Sequence, residues 1–137
     1  MVVYMLHKLL VVILFLAAQF LIAWYGYFSG KLPVRGSFWG LSYESVFIRS
    51  LVTQLEFFWV LVIINLLYSM AFHVGFGSYK NFLVISILYL ASGPISALLF
   101  NALVAKEKLD VALIIGILLI TIGGILVVAH KEILELF

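Results

Sequence analysis

The sequence predicts an all-α integral membrane protein: a single four-span domain over residues 1–137, a four-helix bundle expected to work as a dimer. Three observations carry this. Hydrophobic residues make up 66% of the chain and charged residues only 10%, whereas a soluble domain carries about 25% charged residues. Apolar runs recur at about residues 3–27, 50–72, 81–105 and 109–129, each near the ~20 residues that cross a bilayer. The charges gather between the runs, most densely in Lys106-Glu107-Lys108-Leu109-Asp110, which cannot sit in hydrocarbon and so marks a membrane surface. Four short spans enclose little by themselves, hence the expectation of a homodimer or of a paired small membrane subunit.

The first span opens on Lys8, which can snorkel to the near surface. It is longer than a signal-peptide core and lacks a small-residue cleavage site, so a retained helix is expected. Gln19 is the strongly polar side chain of its interior, and Trp24, Tyr25 and Tyr27 form an interfacial aromatic cluster near its end. Gly30 and Pro33 break the helix.

Residues 28–49 interleave Lys31, Arg35, Glu44 and Arg49 with Phe38, Trp39, Tyr43 and Phe47. Such a mixture suits a segment lying among lipid headgroups. It reads equally as a plain aromatic belt or as a basic collar, Lys31, Arg35 and Arg49, that meets a phosphate or anionic headgroup.

The second span holds Glu56, about six residues from its predicted start and so roughly 9 Å deep. An ionisable residue inside a span is a candidate for function; a shift of the boundary would make it an interfacial residue instead. The Gly75–Ser78 stretch reads as a flexible turn before the third span.

In the third span Ser86, Tyr89, Ser92 and Ser96 recur at spacings of three and four, which puts them on one helix face, with Asn101 near its far end. Pro94 removes a backbone hydrogen bond and should kink the span. The stripe reads as a cavity lining or as helix packing with hydroxyls bonded to backbone. The fourth span is uncharged, and Gly116, Gly123 and Gly124 offer close helix packing, either within the chain or across a dimer. A short amphipathic tail, residues 130–137, follows.

Both termini and the second loop share one side, with Lys8, Lys80 and Lys131; the other side has Lys31, Arg35, Arg49, Lys106 and Lys108. The positive-inside rule places the first and third loops in the cytoplasm by a small margin, a bias compatible with insertion in both orientations.

Residues 80–128 resemble the end of a drug/metabolite transporter repeat. The resemblance rests on the charged turn and the run Leu109-Asp110 … Ile115-Gly116-Ile117-Leu118-Leu119-Ile120-Thr121-Ile122-Gly123-Gly124-Ile125. Size and span number are similar to the small multidrug resistance branch and to the aminoarabinose-lipid flippase subunits. The first branch resembles itself in a membrane-embedded glutamate of span one and works as antiparallel dimers. Here that span has Gln19, in Ala17-Ala18-Gln19-Phe20. Glutamine cannot titrate, so proton coupling of that kind would fall to Glu56. The flippase subunits, which move an undecaprenyl-phosphate-linked sugar, also have a small residue followed by Gln.

Together these readings place Gln19, Glu56, Tyr89, Ser92, Ser96 and Asn101 as candidates lining a polar substrate cavity, and Lys31, Arg35 and Arg49 as candidates for a lipid headgroup. The expected function is a transporter or flippase for a lipid-linked or amphipathic substrate in the cell membrane. The alternatives are a proton-coupled exporter of small cations and an accessory or scaffold subunit. Neither cofactor nor metal is implied: cysteine is absent, His7, His73 and His130 lie near span ends, and no paired loop carboxylates, nucleophile-base pair or phosphate-binding loop suggests an enzyme. The net charge of +2 gives no argument for nucleic acid.

Overall fold

The computed structural model describes residues 2–128. The chain is mostly helical. Helix α1 (Val2–Lys31) runs unbroken and stops just ahead of Pro33, because a residue before proline is pushed out of helical conformation. A two-stranded antiparallel hairpin follows, β1 (Gly36–Phe38) against β2 (Leu41–Tyr43), in the register Phe38↔Leu41. Its two-residue turn holds Trp39 and Gly40 at φ 50° and 81°. Such a turn matches the twist of the strands but needs two left-handed residues, a cost for any non-glycine. The hairpin occupies the segment expected to lie among headgroups, and its Trp39 is 92% exposed.

Helix α2 (Val46–Glu56) is capped by the Ser45 hydroxyl, which accepts from the Phe47 amide. At Phe57 the backbone leaves the helix (φ −99°, ψ 17°), and α3 (Phe58–Tyr79) begins anew. The second long apolar helix therefore runs 58–79 rather than 50–72, and the expected flexible turn at Gly75–Ser78 is helix. Gly75 is buried, and a Cβ there would lie 3.3 Å from Ile85, so this glycine serves the approach of α3 to the next helix. The true connection is two residues long. Lys80 caps α3 in the left-handed region, and the Asn81 side chain accepts from the Leu83 amide at 2.9 Å to start α4. That geometry turns the chain straight back on itself.

Helix α4 (Phe82–Phe100) contains Pro94 and passes into a π-helical turn, Asn101–Ala105. Helix α5 (Val111–Val128) begins where the Asp110 carboxylate accepts from the Leu113 amide at 2.7 Å. The stretches Met5–Lys31, Phe58–Tyr79 and Phe82–Ala105 are long and apolar enough to cross a membrane, while Val111–Gly124 is a shorter apolar helix. The tail at 130–137 lies outside the described residues.

The bundle is not evenly four-sided. Helix α1 packs against both α3 and α4, and α5 leans chiefly on α4. Val11, Leu14 and Phe15 of α1, Ala71 of α3 and Ile85 of α4 form the core, with Tyr68, Phe72 and Tyr89 against it. Phe15 has its ring centroid 5.3 Å from Phe72 and 5.8 Å from Tyr89, both edge-to-face. The outer faces display Leu, Ile, Val and Phe, as a lipid-facing surface does.

Candidate functional site

The polar stripe of α4 meets Gln19 of α1 at the same depth, and the result is a closed seam rather than an open cavity. Ser96 is fully buried, and its hydroxyl donates to the Leu16 carbonyl across the seam at 2.8 Å. Ser92 donates to the carbonyl of Tyr89 at 2.7 Å, and the Gln19 amide reaches the same carbonyl at 3.5 Å. Gly93 faces the Gln19 amide, where a Cβ would sit at 3.6 Å. The Tyr89 ring belongs to the aromatic core around Phe15. Hydroxyls in an apolar interior are satisfied by the nearest carbonyl; here the Ser96 hydroxyl and the Gln19 amide tie α1 to α4.

Asn101 does something different. Its amide nitrogen donates to the Glu107 carbonyl at 3.0 Å, and its amide oxygen accepts from the Glu107 amide at 2.9 Å. This reciprocal clasp folds the charged turn back over the end of α4. Asn101→Ala is expected to raise the exchange rate of the Glu107 amide about tenfold, the loss of roughly 1 kcal/mol of local protection. Hydrogen exchange read by mass spectrometry checks it.

Glu56 is the last residue of α2 and is exposed, apart from the Gln19 seam. The three basic residues make different contacts. Lys31 places its ammonium over the Tyr27 ring, 3.7 Å from the centroid. Arg35 is exposed ahead of the hairpin. Arg49 is drawn in from α2 and donates to the Ser29 carbonyl in the last turn of α1, where a cation complements the helix dipole.

A different space, apolar where the expected cavity was polar, lies beside the seam between α4 and α5; of the expected lining residues it includes Asn101. A groove of about 590 Å³ is walled by Ala23 and Tyr27 of α1, Pro94 and Ala97 of α4, and Ala112, Gly116 and Ile120 of α5. Glu107 and Lys108 stand at its end, and Asn101 contributes there as well. The walls are apolar and the mouth is charged. The glycines of α5 divide accordingly. A Cβ on Gly124 would meet the Ala91 Cβ at 2.9 Å, so this glycine is where α5 touches α4. Gly116 faces the groove, and a Cβ on Gly116 or Gly123 meets nothing within 4 Å among the described residues. Of the three candidates for close packing, Gly124 alone packs tightly among the described residues.

The groove was missed because its walls carry no polar signal; alanines and a glycine leave volume without chemistry. The facing small residues Ala97, Ala112 and Gly116 were the available sign. Among the described residues, no three of His, Cys, Asp or Glu gather as a metal site would require. No family model, curated protein or solved structure matches the chain.

Proposed function

We propose that this chain is a membrane transporter or flippase subunit of the drug/metabolite transporter type, and that its substrate is an anionic amphipath such as a lipid-linked phosphate. The observation that carries the reading is the groove: apolar along α4 and α5, charged at one end. A hydrocarbon or polyprenyl chain would lie against Ala97, Ala112 and Gly116. The headgroup would stay at the mouth, near Lys108 and near Lys31, whose ammonium sits on the groove-lining Tyr27. A cation at that level attracts phosphate without entering hydrocarbon. A second copy of the chain, or a small partner subunit, would close the open side of the groove in the cell membrane.

The position of Glu56 favours this over proton-coupled export of a cation. It stands exposed at the end of α2 and does not line the groove, whose only carboxylate among the described residues is Glu107 at the mouth.

Gly116→Leu tests the reading, because Gly116 lines the groove and a Cβ there meets nothing within 4 Å among the described residues. Native mass spectrometry of the protein in nanodiscs carrying undecaprenyl phosphate is expected to show the lipid retained by wild type and lost in Gly116→Leu. Lys108→Glu is expected to weaken retention about tenfold, the scale of one charge-assisted contact. Retention unchanged in Gly116→Leu removes the groove from the mechanism. Retention without movement of a fluorescent analogue across the bilayer makes the chain an accessory subunit.

A further inference from the structure

A second recess opens at the same end of α1, on another side of the helix. Tyr27 lines the groove and Tyr25 lines the recess; two positions are about 200° apart around a helix. The recess holds about 300 Å³ and is bounded by Tyr25, Ser29, Arg49, Ser50, Thr53 and Gln54. Its lining is polar where that of the groove is apolar, and among the described residues it includes no carboxylate.

Arg49 is the charged member. Its guanidinium donates to the Ser29 carbonyl, but its Nε is buried and has no hydrogen-bond partner. A guanidinium has five N–H donors in a fixed fork, so capping α1 leaves most of its capacity unused. A buried donor on a cation, with no anion to answer it, is costly to maintain. The hydroxyls of Ser29, Ser50 and Thr53 already donate to carbonyls of their own helices, those of Gly26, Val46 and Arg49. Tyr25 and Gln54, both with side chains that can donate, complete the wall. The arrangement is a positively charged fork in a polar recess, at the end of the bundle where Lys31 and the charged turn mark the membrane surface.

We infer that this recess binds an oxyanion, specifically a phosphate group, through the Arg49 fork. Arg is the side chain whose planar donors match phosphate two at a time. The phosphate comes either from a lipid headgroup lying in the same plane or from free phosphate in the adjoining water. The site is separate from the groove and does not depend on the transport reading.

The test uses the full chain purified in dodecyl maltoside, a detergent without phosphate. Isothermal titration calorimetry would follow inorganic phosphate in one arm and dioctanoyl phosphatidic acid in the other. Saturable binding in either arm is expected, weakened about tenfold or more in Arg49→Gln and several-fold in Gln54→Leu. Gly116→Leu and Lys108→Gln, which alter the groove, are expected to leave the binding of inorganic phosphate unchanged. Equal affinity in both arms identifies a free-anion site; binding of the lipid alone identifies a headgroup site. Arg49→Gln also removes the α1 cap, so Arg49→Lys serves beside it: it keeps the charge but loses the fork, and weaker binding at unchanged helicity is expected. No binding by wild type, or binding indifferent to both Arg49→Lys and Gln54→Leu, overturns the inference. Loss in Gly116→Leu alone assigns the ligand to the groove and overturns it equally.

Discussion

Phe15→Ala is expected to be the most destabilising single substitution in the chain, at about 3–4 kcal/mol. Phe15 is fully buried where α1, α3 and α4 meet, and its ring lies within 6.2 Å, centroid to centroid, of Tyr68, Phe72 and Tyr89. In a bilayer, helix association gains little from the hydrophobic effect, since lipid is as apolar as the core. What remains is dispersion across close contacts, together with the edge-to-face preference of the rings. Removing the ring leaves a void that neither lipid nor water readily fills, and the loss falls on all three helices at once. Phe76 provides the control. It is 49% exposed and stacks on Phe82 at 6.0 Å, so Phe76→Ala is expected to cost under about 1.5 kcal/mol. Unfolding titrations of the purified protein in mixed micelles with SDS compare the two. Equal costs would mean that the aromatic cluster is not the centre of the bundle.

Gly124→Leu is expected to loosen α5 from α4, at a cost of about 2–3 kcal/mol. A Cβ at Gly124 already meets that of Ala91 at 2.9 Å, and α5 has little purchase elsewhere in the chain. The neighbouring Gly123→Leu is expected to change stability by under about 0.5 kcal/mol, because a Cβ there meets no described atom within 4 Å. Two adjacent glycines with opposite outcomes separate a steric contact from a general dislike of bulk in this helix. Tryptic cleavage at Lys106 and Lys108, which lie just ahead of α5, provides the second readout: faster in Gly124→Leu, unchanged in Gly123→Leu.

The apolar runs were legible because length and hydropathy constrain a membrane helix strongly, and the third expected span, 81–105, lies within a residue of the observed stretch from Phe82 to Ala105. The second was displaced by seven residues or more. Glycines at 75 and 77 suggested a turn, yet in an apolar bundle a glycine such as Gly75 admits the Ile85 side chain and continues the helix. The break fell instead at Phe57, which carries no breaker signature. That shift brought Glu56 to a helix end. Helical periodicity put Ser92 and Ser96 on one face of α4 and matching depth brought Gln19 level with them, but neither reports whether that face is open. The hairpin escaped because a Trp-Gly pair is not the usual composition for a turn with two left-handed residues. The recess at Arg49 depends on α2 lying beside the end of α1, which no local pattern encodes.

The thirty residues of α1 have one further consequence. At 1.5 Å per residue the helix is about 45 Å long, against roughly 33 Å for the 22 residues of α3. A hydrocarbon core of about 30 Å accommodates the second and not the first. Tilting the bundle to submerge α1 would carry the shorter helices with it, so about 15 Å of α1, nearly three turns, stands proud of the oily layer as a post. Ser29 and Lys31 sit on that post, which holds the recess and the groove mouth above the hydrocarbon. Membrane thickness then becomes a control on the protein: a thicker bilayer would draw both openings down toward the acyl chains, and a thinner one would lift them into water.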